Sequence, residues 1–150
     1  MSKETLKQKF FAHRDVTNEL ASMINQDRYS FKPAETSMDS ETLIKHMMKS
    51  ANIFIAFAAG KQPLDLGEKE QAVNLAEYAQ TYTDETIALF DELTEDGLDE
   101  LIDMTEIFGA KMPAHQVIEL AIDHEIHHKG NLFVYLRMMG YDELPLYVRT

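Results

Sequence analysis

Hydrophobic side chains recur every three or four residues over much of the chain, which is the spacing of helices with one buried face. The first such segment spans about residues 3–26. Its buried face is predicted to consist of Leu6, Phe10, His13, Thr17, Leu20 and Ile24. Residues 29–38 lose this period and contain Pro33, so they are predicted to form a loop.

A second helix is predicted over about residues 40–59, with Asp39 or Ser40 as its N-cap and Gly60 just beyond its end. Its second half, residues 51–59, is apolar nearly all round, which predicts burial on several sides. This apolar stretch is too short to span a membrane.

A third helix is predicted over about residues 68–93, where the chain has its clearest heptad. The heptad is interpreted as ordinary core and comprises Ala72, Leu75, Ala79, Tyr82, Thr86, Leu89 and Leu93. Residues 98–112 are apolar in places but show no sustained period. Because this segment also contains Gly109, it is predicted to form a short helix or an extended loop.

Pro113 suits the first position of a fourth helix, which is predicted to run to about Met139 and to end before Gly140. Its apolar seam is predicted to be Val117, Ala121, His124, His128, Asn131, Tyr135 and Met138. The tail, residues 141–150, contains aromatic side chains and is predicted to pack on the helices. Four helices with short connections predict an all-α fold, a single four-helix-bundle domain over residues 1–150.

Composition narrows the class of protein. The chain has 150 residues, 45% of them hydrophobic, and only 6 Gly and 4 Pro, which fits one core and argues against a β-sandwich. A formal net charge of −12 argues against nucleic acid or an anionic membrane as partner. The N-terminal segment has no apolar stretch behind its charges, so a cytoplasmic protein is expected. There is no Cys, so thiol chemistry would need an external thiol.

The predicted fourth helix places histidines where a bundle normally places Leu or Ile. His124 and His128 are one turn apart, and imidazoles at this spacing can bind one metal ion. His46 on the second helix is predicted to face the same interior and supplies a candidate third ligand. Three neutral imidazoles would leave coordination positions open, and the bound ion would keep its full positive charge. Gly130, which lies beside the histidines, would allow a neighbouring helix to approach closely.

Other histidines were weighed against these. His127 could pair with His124 at a spacing of three residues, although the seam favours His128. His13 and His115 are interpreted as ordinary structural residues. Ser50, Asn131 and Tyr135 are candidates for the pocket or for hydrogen bonds to the ligands.

The order of these elements, ending in His124-x-x-x-His128-Lys-Gly-Asn-Leu, resembles the DinB-like (DinB/YfiT-like) superfamily of metalloenzymes over essentially the whole chain. The usual signature of that family is similar to H-x-x-x-H-R-G-Q-L, and here Lys129 replaces the Arg and Asn131 the Gln. The resemblance implies an up-down-down-up bundle, a nickel or zinc site of His46, His124 and His128, and a homodimer. Some members resemble bacillithiol- or mycothiol-dependent S-transferases, and others are similar to hydrolases or isomerases.

The favoured function is therefore that of a metal-dependent enzyme that activates a low-molecular-weight thiol for transfer to an electrophilic small molecule. One alternative is a hydrolase that uses metal-bound hydroxide. It needs a general base, and the nearest candidate, Glu125, lies about 100° around the helix from His124 and so faces away from the site. A second alternative is a non-catalytic, metal-binding stress or scaffold protein in which the ion ties two helices together.

Overall fold

The computed structural model of the chain describes residues 1–71 and 74–150. Its long helices are α1 (Lys3–Met23), α2 (Ser40–Ala59), α3 (Leu75–Glu92) and α5 (Ala114–Met138), and a short helix α4 (Thr105–Phe108) precedes α5. Single turns of 3₁₀-helix lie at Gln26–Arg28, Gly67–Gln71 and Asp96–Asp99. The fold is thus mostly helical, as predicted.

The ends of α2 follow local capping rules. The carboxylate of Asp39 accepts a hydrogen bond from the amide of Thr42 at 2.8 Å, and Ser40 is the first helical residue. Gly60 ends the helix with a φ of 66°, a conformation that costs glycine little because it has no Cβ. The predicted bounds of this helix are confirmed.

The third helix begins later than the period indicated. Asn74 caps α3 by accepting from the amide of Glu77, and a 3₁₀ turn precedes it. The heptad residues from Leu75 onward are buried or partly buried, as predicted, whereas Ala72 lies outside the described residues.

The all-α expectation is wrong for residues 101–104 and 110–113, which form short strands, whereas the short helix predicted as one possibility for residues 98–112 is present as α4. Strands β1 (Leu101–Met104) and β2 (Ala110–Pro113) pair antiparallel, with Ile102 opposite Met112, and α4 lies between them. Gly109 ends α4 with a φ of 76°, which lets the chain reverse into β2. Pro113 is the last strand residue and the N-cap of α5, not its first residue.

The four long helices pack in a ring in which α1 contacts α3 and α5, and α2 contacts the same two helices. Two apolar clusters fill the ring. Along α1 the first cluster ends at Phe10 and the second begins at Val16, and along α5 the gap lies between Ile122 and Leu132. On these two helices polar side chains occupy the gap and form a layer between the two clusters.

The C-terminal tail packs on the helices, as predicted. The amide of Arg149 donates to the carbonyl of Ala12 at 2.9 Å, and Tyr141 and Leu144 pack against the second apolar cluster. Within residues 1–71 and 74–150, no helix combines the length and apolar character needed to cross a bilayer.

Candidate metal centre

Three histidines from two helices converge in the polar layer. One ring nitrogen each from His46 on α2 and from His124 and His128 on α5 lies within 4.8 Å of the other two. The Nε2 atoms of His46 and His124 are 3.1 Å apart. Ligand nitrogens on one tetrahedral zinc ion, each at about 2.0–2.1 Å, stand about 3.3 Å from one another. The arrangement therefore fits a single transition-metal ion.

The outer nitrogens of these rings have polar neighbours. The hydroxyl of Ser50, one turn along α2, lies 3.4 Å from Nδ1 of His46, and the amide nitrogen of Asn131 lies 3.5 Å from Nδ1 of His128. A metal-binding histidine usually engages its other nitrogen with a neighbouring polar group, which holds the ring in place. On a metal-bound ring this nitrogen carries the proton and needs an acceptor. The hydroxyl of Ser50 meets that need for His46, and Asn131 would meet it for His128 with its carbonyl oxygen turned toward the ring.

The environment keeps these imidazoles neutral. Burial lowers the pKa of His46, and burial together with the neighbouring His46 lowers the pKa of His124. For His128, burial and then the two other histidines lower the pKa to about 4. Neutral imidazole is the form that binds a metal, so the cluster is ready to bind at pH 7 without first losing protons.

The set of candidate ligands is incomplete for a closed site. Among the described residues, the cluster contains no carboxylate and no fourth histidine. Structural zinc sites generally have four protein ligands, whereas catalytic sites keep a position open for water or substrate. Three imidazoles match the second arrangement.

The remaining predicted residues lie elsewhere. His127 is exposed on α5 and is not part of the cluster. His13 is a buried, hydrogen-bonded residue, as interpreted, and His115 lies at the surface 3.7 Å from Glu119. Tyr135 is buried, and its hydroxyl donates to the carbonyl of Met38 at 2.6 Å.

The predicted seam of α5 is wrong at two positions of its C-terminal half, although Tyr135 between them is buried as predicted. Asn131 is exposed and Met138 is 54% exposed, because the core face of α5 instead follows Glu125, Leu132 and Leu136. The histidines lie at the edge of that face, toward α2. The expected close approach at Gly130 is also absent, since a Cβ built there meets nothing within 4 Å among the described residues.

A buried ion pair lies directly behind the histidines. The Nε and Nη2 atoms of Arg14 each donate to the carboxylate of Glu125 at 2.9 Å, and the two side chains are 0% and 1% exposed. Burial alone would raise the pKa of Glu125, but the charge and hydrogen bonds of Arg14 outweigh it and the pKa is lowered. Sequence reasoning missed this pair, although Arg14 lies four residues after Phe10 on the apolar stripe of α1.

Lys129, which stands where the family signature has Arg, is also buried. Its ammonium group contacts Nδ1 of His13 and donates to the backbone carbonyl of Tyr147. Burial lowers the pKa of Lys129, an effect that Glu125 opposes. Lys129 thereby joins α1, α5 and the C-terminal tail behind the histidine cluster.

Comparison with known proteins identifies the family. The model of the DinB family matches residues 1–150. The chain belongs to the DinB family. It is 48% identical over 140 residues to the uncharacterized protein YjoA of Bacillus subtilis (strain 168), a match that covers 92% of this chain and 91% of that protein.

Two solved structures share the fold of this DinB protein. The crystal structure of the DinB-like protein YjoA from Bacillus subtilis superposes with a TM-score of 0.84 at 41% identity, covering 98% of this chain and 99% of that one. A DinB-like protein from Bacillus cereus ATCC 10987 superposes with a TM-score of 0.78 at 21% identity, covering 96% and 97%. The family expected from the fourth-helix signature is thus confirmed.

Proposed function

We propose that His46, His124 and His128 of this DinB protein bind one divalent transition-metal ion, nickel or zinc. We propose further that the protein is an enzyme that transfers a low-molecular-weight thiol to an electrophilic small molecule. The observation that carries the proposal is the convergence of three imidazole nitrogens within 4.8 Å, with no carboxylate among the described residues of the cluster. An ion held by neutral ligands keeps its positive charge and lowers the pKa of a thiol in an open position.

The protein's own residues prepare this chemistry. Ser50 accepts from the Nδ1–H group of His46, Asn131 does the same for His128 with its carbonyl oxygen turned toward the ring, and the lowered pKa values keep the rings neutral. The net reaction forms a carbon–sulfur bond, breaks the bond to the leaving group and releases one proton to solvent. The thiol is a cosubstrate because the chain has no Cys.

The two alternatives are less well supported. A hydrolase needs a general base. Glu125 follows His124 in the sequence and is buried, but its carboxylate is paired with Arg14. A scaffold tied by metal predicts a closed site of four ligands. The cluster offers three among the described residues.

Helix direction and assembly are part of the same proposal. The ring of His46 lies 4.9 Å from the rings of both His124 and His128, whereas Phe54, further along α2, lies 6.1 Å from His124. These contacts support opposite directions for α2 and α5, as in the up-down-down-up order.

We also propose a cytoplasmic homodimer. Light scattering coupled to size-exclusion chromatography tests the dimer, and a monomer at micromolar concentration would contradict it.

Elemental analysis tests the metal centre. Tag-free protein purified without chelator should carry about one transition-metal ion per chain, and His46→Ala, His124→Ala and His128→Ala should each lose it. His127→Ala is the matched control, because this residue lies on the same helix turn but outside the cluster. Full stoichiometry in the three variants would show that the ligand set is wrong.

The thiol step is tested separately on cobalt-loaded protein. Addition of bacillithiol or 2-mercaptoethanol should produce a sulfur-to-cobalt charge-transfer band, and 1-chloro-2,4-dinitrobenzene should then be consumed faster than with thiol alone. A protein that binds cobalt but shows neither the band nor the reaction would contradict S-transfer.

A further inference from the structure

Aromatic side chains border the histidine cluster on the side of His124. The ring of Phe54 on α2 meets the ring of His124 edge to face, with centroids 6.1 Å apart. The ring of Phe54 also contacts the ring of Phe108 on α4, with centroids 5.6 Å apart. Phe108 is 40% exposed, so this aromatic surface reaches solvent.

The hairpin explains why an exposed aromatic residue stands there. Pairing of Met104 with Ala110 closes β1 on β2, and α4 is held between the strands against the end of α2. Ile107, next to Phe108, is 49% exposed. Adjacent large apolar side chains left in water cost free energy, so a cluster of them marks a binding surface.

A cavity lies next to this surface, lined by Ile107, the neighbour of Phe108, and by Phe57 rather than by the histidines. Phe57, one turn after Phe54, is 37% exposed and lines a cavity of about 480 Å³ together with residues 103–107 of β1 and α4. This volume is that of a typical small-molecule site, about 300–1,000 Å³. The wall is mixed, with apolar side chains from Phe57, Met104 and Ile107 and polar ones from the other three residues. The charged groups in the wall, among the described residues, are the carboxylates of Asp103 and Glu106. The wall therefore disfavours an anionic ligand.

The opposite side of the site has a different character. One turn beyond His128, away from Phe54, the exposed amide of Asn131 approaches the ring. The site thus changes from apolar beside His124 to polar beside His128. Two reactants of different polarity can lie side by side in such a site, a hydrophilic thiol on one side and an apolar electrophile on the other.

We propose that the electrophile bound by this protein carries an uncharged aromatic or branched alkyl group, which lies against Phe54, Phe57 and Phe108 beside His124. This substrate class rests on the metal centre and the thiol transfer proposed above. Phe108 and Phe57 are specificity-determining residues in this assignment, because they contact the unreactive part of the electrophile.

Ligand binding without turnover tests the assignment. The probe is 4-fluorotoluene, followed by ¹⁹F NMR in cobalt-loaded and zinc-loaded protein, with 4-fluorobenzoate as the anionic match. Bound 4-fluorotoluene should relax faster in the cobalt protein than in the zinc protein, and 4-fluorobenzoate should bind more weakly. Phe108→Ser should weaken binding about five- to tenfold, from loss of one aromatic contact and its apolar area. Ile126→Ser is the matched control, since Ile126 is 37% exposed, as Phe108 is 40% exposed, but lies on a face of α5 that does not carry His124 and His128.

Three results would overturn the assignment. They are equal affinity of wild type and Phe108→Ser, binding of the benzoate as tight as that of the toluene, and binding without cobalt-dependent relaxation. Failure of the proposed function looks different. If cobalt is absent by elemental analysis, the metal centre is wrong, and the assignment fails with it. If cobalt and probe both bind but no electrophile is consumed, the apolar subsite stands and S-transfer does not.

Discussion

Breaking the buried ion pair behind the histidines should cost much of the stability of the fold. Arg14 and Glu125 are joined by two hydrogen bonds of 2.9 Å and have almost no contact with solvent. In Arg14→Met or Glu125→Met, the remaining charge stays buried without its partner. The free energy of unfolding should then fall by about 3–5 kcal/mol, out of a typical total of about 5–15 kcal/mol.

Replacing both residues should cost far less than the sum of the two changes. In Arg14→Met/Glu125→Met neither charge of the ion pair is left behind, and the methionines fill similar space; Lys129 loses the nearby carboxylate, but its ammonium group keeps its contacts with His13 and the carbonyl of Tyr147. The hydroxyl of Thr83, which accepts from Arg14 at 3.3 Å, still accepts from Asn18 at 3.0 Å. We expect the double variant to lie within about 2 kcal/mol of wild type, whereas additivity would require a loss of about 6–10 kcal/mol.

Urea unfolding followed by circular dichroism at pH 7, with chelator present, measures all four proteins. Two single variants that each lose less than about 1 kcal/mol would refute the buried charge pair. A double variant that loses the sum would refute the coupling. The lowered pKa of Glu125 adds a pH test. The pair's contribution should be present above the unfolded-state pKa of 4.5 and be lost as pH falls through the lower folded-state pKa.

Three further outcomes follow from the described contacts. Because burial lowers the pKa of the histidine ligands, to about 4 for His128, metal affinity should change little from pH 8 to 6.5 and fall steeply only below pH 6.5. Chelator competition measures this affinity, and a decline that begins near pH 7 would contradict the prediction. Gly60→Ala, at a φ of 66°, should destabilise the protein by about 1 kcal/mol, whereas Gly130→Ala, in open space inside α5, should stabilise it by about 0.5–1 kcal/mol; thermal unfolding in which both variants shift the same way would refute this contrast. Deletion of residues 145–150 removes the tail carbonyl that accepts from Lys129 and should cost about 1–3 kcal/mol in urea unfolding; an unchanged midpoint would show that Lys129 does not hold the tail.

The helices were largely predictable because their signals are local. Asp39 caps α2 and Gly60 ends it within the same short stretch of sequence that forms it. The buried stripe of α1 follows from the helical period alone. The short strands of residues 101–113 were not predictable in this way, because each is only four residues long and is stabilised by pairing with the other strand.

The candidate site, like the fold, was predictable only in part. The spacing of His124 and His128 and the signature around them were sufficient to predict two ligands and the family. That His46 meets them across the helix interface, within hydrogen-bonding distance of His124, depends on how α2 packs against α5. The same is true of Phe54 on α2, which contacts His124, and of Phe108 on α4, which contacts Phe54.

The sequence by itself determined the helical class, most of the helix bounds and the residue types of the site, since period, caps and i,i+4 spacing act between neighbours along one helix. Only the tertiary structure decided that Arg14 pairs with Glu125, that Lys129 turns inward to the tail, and that Asn131 and Met138 face outward. The physical reason is that these contacts join elements distant in the chain. A helix period defines which residues share a face, but the neighbouring helices decide which face is buried.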